Sequence, residues 1–196
     1  MTGLATAYVG LGANLGDRLA TLRAAVRELG ELGSVTGVSS LYETAPVGFQ
    51  EQPPFLNAVV ALRTSLDATS LVRRLLDIEA GLGRMRSFRN APRTIDLDLL
   101  LLGDSVVATD DVETPHPRLH DRAFVLAPLA ELAPDARHPV LQQSALQLYE
   151  SLESRDGVAP IAGPEWVTLP AGDARRAEDR SGNPGSGARA PDLPRR

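Results

Sequence analysis

The stretch RTIDLDLLLL, Arg93–Leu102, contains the most apolar run of the chain. Its part from Ile95 to Leu102 predicts a strand, which we expect to lie centrally in a sheet and to be buried on both faces over much of its length. Two of its residues are nevertheless aspartates. Because alternate side chains of a strand share a face, Asp96 and Asp98 are expected to project together, roughly 7 Å apart by the strand rise. Two carboxylates cannot lie unpaired in a protein core, so the pattern calls for cations beside this strand.

The loop before this strand is rich in arginine. Within ten positions it holds four arginines and no acidic residue: Arg84, Arg86, Arg89 and Arg93. Carboxylates without Cys or His nearby suit Mg²⁺, which also keeps waters and substrate phosphates, and guanidinium groups bind outer phosphate oxygens. Each feature alone also fits a simpler interpretation, a salt-bridged aspartate pair at a strand end or a solvated basic loop. Together they indicate a site for a metal-bound polyphosphate.

The pattern upstream of the arginine loop predicts a strand, a helix, two strands and a second helix. The three strands are expected at Thr6–Gly12, within Ser34–Thr44 and at Phe55–Thr64. The first helix is expected to run from Asp17 to Gly30 or Gly33. The second is expected to begin at Asp67 or Ser70 and to end at Gly81 or Gly83. With the strand of the two aspartates, this is the order of a ferredoxin-like βαββαβ domain. We therefore predict an α+β fold, an antiparallel sheet with helices on one face.

The third predicted strand carries an unusual residue. Its apolar face consists of Leu56, Ala58, Val60 and Leu62. Asn57, a residue type that is uncommon in strands, falls on the other face beside Phe55 and Val59.

Beyond Leu102 we predict a C-terminal helical extension. A short strand at Val106-Val107 and a polar loop to Arg122 precede a helix at Ala123–Leu132 and a weaker helix at Leu141–Leu152. Residues 1–165 are expected to form a single domain. Residues 171–196 are rich in Arg, Gly and Pro and nearly lack large apolar side chains, so we predict a disordered tail.

The composition excludes several classes of function. The net charge of −5 gives no basic surface for nucleic acid, and the absence of cysteine excludes disulfides, a thiolate zinc site and a cysteine nucleophile. All 20 basic residues are arginine, which reflects codon usage but also excludes a lysine Schiff base and a Walker A loop. Gly10-Leu11-Gly12 lacks the third glycine of a dinucleotide fingerprint. Neither a secretory signal nor an 18-residue apolar run is present, so a cytoplasmic location without membrane contact is expected.

A second cationic loop follows the aspartate strand. The run TPHPRLHDR, Thr114–Arg122, contains two prolines, two histidines and two arginines. A histidine in a loop is commonly an ordinary surface residue. Because His116 and Arg122 follow the strand that we expect to bind metal, they are also candidates for contact with phosphate.

These pieces together resemble the 6-hydroxymethyl-7,8-dihydropterin pyrophosphokinases of folate biosynthesis. The resemblance spans nearly all of residues 7–135 and rests on seven blocks: YVGLGANLGD at Tyr8–Asp17, SSLYETAPVG at Ser39–Gly48, FLNA at Phe55–Ala58, Ile78-Glu79, GRMR at Gly83–Arg86, APRTIDLD at Ala91–Asp98, and Pro115-His116 through Arg122-Ala123-Phe124. The PRTIDLD run is highly specific to that family.

The resemblance implies a ferredoxin-like fold and transfer of the β,γ-diphosphate of ATP to the pterin hydroxymethyl group, with two Mg²⁺ ions and release of AMP. It implies that Asp96 and Asp98 hold the metals. It also implies that Arg84 and Arg93 make catalytic contacts with the triphosphate of ATP. The remaining ATP positions are Glu79, Arg86, His116 and Arg122, and the pterin positions are Thr44, Val47, Phe55, Asn57 and Phe124. The expected partners are these two small molecules, without nucleic acid, and the chain is expected to be a monomer.

The chain departs from the family at three places. Asn90-Ala91 stands where many members have Trp-Gly, Pro117 where a tyrosine often follows the motif histidine, and Phe55 where tyrosine is frequent. These changes concern affinity more than reaction type. They keep open the possibility of a catalytically weakened homologue.

The βαββαβ order also fits an RNA-recognition domain or a small-molecule regulatory domain. Aromatic residues make up only 4% of the chain, which disfavours RNA, and a regulatory domain does not explain the aspartates beside the arginine loop. The general base stays open among Asp98, a metal-bound hydroxide and solvent.

Overall fold

An antiparallel sheet flanked by helices forms the centre of the computed structural model, which describes residues 3–46, 48, 50–85 and 91–168. The strands are β1 (Ala5–Ala13), β2 (Ser34–Val38), β3 (Leu41–Thr44), β4 (Phe55–Thr64), β5 (Asp96–Leu102), β6 (Val107–Ala108), β7 (Glu113–Thr114) and β8 (Val158–Ala162). The α-helices are α1 (Arg18–Gly30), α2 (Ala68–Gly81), α3 (Ala123–Leu132) and α4 (Ala145–Glu150). The predicted α+β class with an antiparallel sheet is confirmed.

Within the described residues the main sheet has six strands in the order β5-β1-β4-β3-β8, and β2 also pairs with β4. The central position predicted for the aspartate strand is wrong, because β5 lies at the end of this order. Its predicted burial is nevertheless confirmed for Leu97 and for Leu99 to Leu102. The chain that follows covers the outer edge of β5, where the backbone N–H of His116 donates a hydrogen bond of 2.9 Å to the carbonyl of Leu100.

Helices pack on both faces of the sheet. Helices α1 and α2 cover the face that presents Leu56, Ala58, Val60 and Leu62 of β4, as the alternation predicts. The other face packs against α3 and α4 through a second cluster that includes Val59 and Leu126. The prediction of helices on one face therefore holds for α1 and α2 alone. The sheet is buried on both sides because the C-terminal extension folds back over it.

The single strand predicted within Ser34–Thr44 is two strands. The break falls at Ser39, whose hydroxyl accepts a hydrogen bond of 2.9 Å from the backbone N–H of Val59 and donates one to the carbonyl of Ser40. A side chain thus occupies a place that a backbone carbonyl would take in a continuous ladder. The chain turns there, so β2 and β3 pair with different parts of the long strand β4.

Aspartates cap the N-terminal ends of helices α1 and α2. Asp17 and Asp67 accept hydrogen bonds from the backbone N–H groups of Ala20 and Ser70, at 3.0 and 2.7 Å. The weaker C-terminal helix is shorter than predicted, because Ser144 forms a capping box with Gln147 and starts α4 at Ala145. The short strand expected at Val106-Val107 lies one residue later, at Val107–Ala108. None of the helices that the structure describes is long and apolar enough to cross a bilayer.

The segment after α4 contributes a strand that the sequence pattern did not indicate. Strand β8 pairs with β3, and its run of alanine, proline and isoleucine carries no clear alternation. Trp166 follows it and is buried. Its indole Nε1–H donates a hydrogen bond of 2.9 Å to the carbonyl of Ser39, while its own carbonyl accepts one of 2.7 Å from Arg23 Nε. The segment is therefore part of the core packing.

This packing predicts a large loss of stability for Trp166→Ala. We expect the free energy of unfolding to fall by about 3 to 5 kcal/mol, as for other buried aromatic truncations. Ile161→Thr in β8, at a side chain that is 52% exposed, is the matched control and should change stability by less than about 0.5 kcal/mol. Urea unfolding followed by circular dichroism measures both, because Trp166 is the only tryptophan of the chain. Equal stability of the two variants would contradict this packing.

Candidate active site

The sheet register brings three strands of candidate residues side by side. Gly12 of β1 pairs with Asn57 of β4 on one side and with Asp96 of β5 on the other, and Gly10 pairs with Asp98. A β-carbon on Gly12 would lie 3.1 Å from Asn57 Oδ1 and 3.8 Å from the Asp96 β-carbon. Glycine at this position therefore leaves a recess between the amide and the carboxylate.

One cavity opens above this recess, and we call it the aromatic cavity. It measures about 110 Å³ and is lined by Gly12, Thr44, Ala45, Gln52, Phe55, Asn57, Arg93, Asp96, Asp98, Arg118, Arg122 and Phe124. Asn57 Nδ2 donates a hydrogen bond of 2.7 Å to Thr44 Oγ1, which fixes the direction of the amide. The cavity thus combines two aromatic rings with an oriented amide and three guanidinium groups.

A second cavity lies across the two aspartates from the first, and we call it the histidine cavity. It measures about 260 Å³, and its lining includes Val72, Leu76, Glu79, Arg84, Val112 and His116. Asp96 and Asp98 line this cavity as well as the aromatic cavity. The carboxylate pair therefore lies at the boundary between the two spaces.

Arginines compensate the charge of Asp96. Arg93 Nη1 donates to Asp96 Oδ2 at 2.6 Å, and Arg84 Nη1 pairs with Asp96 Oδ1. Arg84 also pairs with Glu79, which is buried and accepts a hydrogen bond of 2.7 Å from the backbone N–H of Leu97. Glu79 thereby ties helix α2, the arginine and the start of β5 into one network.

Asp98 is less well compensated. Burial, and then the negative charge of Asp96, raise the pKa of Asp98 to about 6, while the positive charge of Arg122 acts in the opposite direction. His116 Nε2 lies 4.0 Å from Asp98 Oδ2. Burial, and then the charge of Arg122, lower the pKa of His116 to about 4, so this histidine is neutral at pH 7 and supplies no positive charge to Asp98.

The donor set suits a hard cation that keeps other ligands. Within the described ranges no group of three or more His, Asp or Glu side chains could enclose a metal ion. Two carboxylates on one face, both partly exposed, match Mg²⁺, which binds through one or two carboxylates and retains waters or phosphate oxygens. Guanidinium groups on both sides suit the phosphates themselves.

The structure brings the predicted residues together in two groups. The aromatic cavity holds Thr44, Phe55, Asn57, Arg93, Arg122 and Phe124, the histidine cavity holds Glu79, Arg84 and His116, and Asp96 and Asp98 belong to both. The guanidinium carbons of Arg93 and Arg122 lie 5.6 Å from the ring centroids of Phe55 and Phe124, respectively. Val47 and Arg86, and also Arg89 and Asn90, lie outside the described residues.

Sequence reasoning missed four residues that line the aromatic cavity: Gly12, Ala45, Gln52 and Arg118. The run Gly10-Leu11-Gly12, taken by itself, indicates only an incomplete dinucleotide motif. Because the two glycines alternate along a strand, their spacing could have indicated a cleared sheet face. Arg118 lies in the cationic loop Thr114–Arg122, where only His116 and Arg122 are predicted site residues. No local signal marks Ala45 or Gln52.

An α+β domain with two adjacent carboxylates on one strand and arginines around them has the residue types that phosphoryl-transfer proteins use. The sequence model of the family described as 7,8-dihydro-6-hydroxymethylpterin-pyrophosphokinase matches residues 8–134. The chain therefore belongs to this family of pyrophosphokinases, which are transferase enzymes.

Two bacterial relatives are also named as pyrophosphokinases. The chain is 48% identical over 128 residues to 2-amino-4-hydroxy-6-hydroxymethyldihydropteridine pyrophosphokinase of Bacillus subtilis, covering 64% of this chain and 77% of the relative. It is 38% identical over 140 residues to the protein of that name from Aquifex aeolicus, covering 71% and 88%.

Longer proteins also contain a similar region. The chain is 31% identical to folic acid synthesis protein FOL1 of Dictyostelium discoideum, covering 90% of this chain and 27% of the relative. The solved structure of wild-type Plasmodium falciparum HPPK-DHPS shares the fold with a TM-score of 0.60 at 15% identity, over 76% of this chain and 45% of that chain. The chain thus spans less than half of that solved protein.

The raised pKa of Asp98 predicts that this carboxylate destabilises the fold when it is ionised. The folded state binds its proton more tightly than the unfolded chain, so the penalty is present above about pH 6 and disappears below the ordinary value of 3.8. Because 39% of the side chain is exposed, solvent screens the repulsion. We expect Asp98→Asn to raise the free energy of unfolding by about 1 kcal/mol at pH 7.5.

Urea unfolding at pH 7.5 and pH 4, without divalent cations, measures this difference. The gain should be several times smaller at pH 4, and Asp104→Asn, at an exposed position, should show no gain at either pH. A loss of stability for Asp98→Asn at pH 7.5 would contradict the charge balance described for the site.

Proposed function

We propose that this chain transfers the β,γ-diphosphate of ATP to the hydroxymethyl oxygen of 6-hydroxymethyl-7,8-dihydropterin in folate biosynthesis. The hydroxyl oxygen attacks the β-phosphorus, the bond from that phosphorus to the oxygen bridging it to the α-phosphorus breaks, AMP leaves, and the hydroxyl proton is released. The observation that carries the proposal is that Asp96 and Asp98 line both cavities. Groups bound on either side of the carboxylates would meet at them.

The aromatic cavity suits the pterin. A flat bicyclic ring stacks well between aromatic side chains such as those of Phe55 and Phe124. The amide of Asn57, oriented by Thr44, offers a donor and an acceptor to the ring nitrogens. We include Val47 in this proposed subsite because of the family resemblance.

The histidine cavity and the arginines around the carboxylates suit ATP. Its wall contains Val72, Leu76 and Val112, whose apolar side chains fit a nucleoside. Neutral His116 can offer a hydrogen bond to a phosphate oxygen without adding charge. We assign phosphate contacts to Arg84, Arg93 and Arg122, and the family resemblance adds Arg86 to this set and places Glu79 on the nucleotide side.

We propose that Asp96 and Asp98 hold Mg²⁺, two ions in all. When bound, Mg²⁺ would supply positive charge to the oxygens of the transferred diphosphate. The partly exposed oxygens of both aspartates fit this role. Arg84 and Arg93, which pair with Asp96 here, would then be available to the phosphates.

The chemistry asked of this chain is positioning and neutralisation of charge. Phosphoryl transfer needs little covalent help from protein side chains. Guanidinium groups and carboxylates suffice for it, so a chain without lysine can perform it. The residues that we expect to touch the reacting groups are Arg84, Arg93, Asp96 and Asp98.

Several finer statements belong to the same proposal. The antiparallel order of β5, β1 and β4, with β2 and β3 on the far side of β4, supports a ferredoxin-like βαββαβ unit. We further propose a single domain over residues 1–165, a monomeric state and a cytoplasmic location. The tail predicted at residues 171–196 lies outside the described residues. A cytoplasmic location would give the chain access to its small-molecule substrates, and no further partner is proposed.

Product analysis tests the proposed reaction. The chain incubated with ATP, Mg²⁺ and 6-hydroxymethyl-7,8-dihydropterin should form AMP and the pterin diphosphate in equal amounts, and Asp98→Asn should reduce the rate about a hundredfold or more. Formation of ADP would contradict the site of attack. Binding of both substrates without any nucleotide product would identify a binding protein instead.

The glycine recess predicts a specific effect on pterin use. Gly12→Ala puts a β-carbon 3.1 Å from Asn57 Oδ1, at the floor of the aromatic cavity, and should raise the pterin KM about tenfold. Gly10→Ala is the matched control, because the three atoms nearest to its β-carbon belong to the Leu100 side chain, at 3.4 to 3.6 Å. Steady-state kinetics with each substrate varied in turn measures both. Equal pterin KM values for the two variants would contradict the placement of the pterin.

A further inference from the structure

Asn14 lies outside both cavities, yet it connects two segments that line the aromatic cavity. It follows β1 directly and is only 2% exposed. Its backbone N–H donates a hydrogen bond of 3.1 Å to the carbonyl of Arg93. Its side-chain Oδ1 accepts one of 2.8 Å from the backbone N–H of Arg93. These two bonds fix the backbone of an arginine that reaches the carboxylate pair.

The other end of the same side chain holds a different loop. Asn14 Nδ2 donates to Gln52 Oε1 at 2.9 Å and to the carbonyl of Pro53 at 3.1 Å. Gln52 lines the aromatic cavity, and Pro53 stands two residues before Phe55. One amide group therefore joins the start of the aromatic wall to the backbone of Arg93.

The two joined segments also meet at their side chains. The Arg93 guanidinium lies 5.6 Å from the centroid of the Phe55 ring and donates to Asp96 at 2.6 Å. A shift between the two loops would therefore move this cation relative to both the aromatic wall and the carboxylates. In enzymes, small displacements of this kind reduce rates strongly because reacting groups must be aligned.

We propose that Asn14 is a positioning residue, which sets Arg93 and the wall of the aromatic cavity in one arrangement for diphosphate transfer. This inference rests on the proposed function. Only an amide of this length fits the role, since the position needs one acceptor and two donors on a single short planar group. Aspartate lacks the donors, and alanine lacks all three.

Two substitutions distinguish the role of Asn14 Oδ1, which binds the backbone of Arg93, from that of Nδ2, which binds Gln52 and Pro53. Asn14→Asp keeps an acceptor for the N–H of Arg93 but places an oxygen against the carbonyl of Pro53. We expect the pterin KM to rise about tenfold while the ATP KM changes less than about twofold. Asn14→Ala releases both loops and should in addition lower kcat about tenfold or more.

Thr64→Val is the control for a merely structural role. Thr64 is 1% exposed, donates a hydrogen bond of 2.7 Å to the carbonyl of Leu32 and accepts one from the N–H of Leu66, at the end of β4 away from the cavities. Its replacement should lower stability and leave kcat and both KM values unchanged. This control therefore distinguishes a loss of stability alone from the kinetic pattern that we expect for the Asn14 variants.

Hydrogen exchange at the amide of Arg93 gives a readout that does not depend on turnover. The amide should be protected in the native chain and in Asn14→Asp, and should exchange at least about tenfold faster in Asn14→Ala. Active wild-type enzyme together with Asn14 variants that match Thr64→Val in kcat and KM would overturn the positioning role. A wild-type chain that forms no AMP would contradict the proposed function itself, which is a different outcome.

Discussion

Two carboxylates on the same face of one strand impose the constraint on which the rest of this site depends. Asp96 and Asp98 repel each other, so the fold must bring positive charge to them or leave part of the charge uncompensated. Arg84 and Arg93 compensate Asp96 directly. Asp98 retains a raised pKa. The chain thus tolerates a locally unfavourable charge at the place where a cation is proposed to bind, as functional sites often do.

The sheet register places the two aspartates between the aromatic cavity and the histidine cavity. Gly12 lies between Asn57 and Asp96, and its missing side chain clears the floor on the aromatic side. The chain after β5 covers the open edge of that strand and supplies His116 to the other side. Asp96 and Asp98 therefore border both cavities, while the leucines of β5 remain buried.

Local sequence patterns predicted what depends on local chemistry. The alternating faces of Phe55–Thr64, the helix starts after Asp17 and Asp67 and the shared face of the two aspartates are all found in the structure. The roles proposed for the site residues remain predictions. The edge position of β5, the pairing of β8 and the link through Asn14 depend on contacts between distant parts of the chain. The Ser39 hydroxyl that divides β2 from β3 acts through Val59, which no local periodicity reveals.

The central claim is that the two aspartates lie between two bound substrates and hold the metal that serves both. A crystal structure of the chain with Mn²⁺ in place of Mg²⁺, a non-hydrolysable ATP analogue and the pterin tests this most directly, because anomalous scattering locates Mn²⁺. The account predicts anomalous peaks on Asp96 and Asp98, the pterin between Phe55 and Phe124, and the nucleotide beside His116. Manganese bound away from both aspartates, or both ligands on the same side of them, would contradict the account.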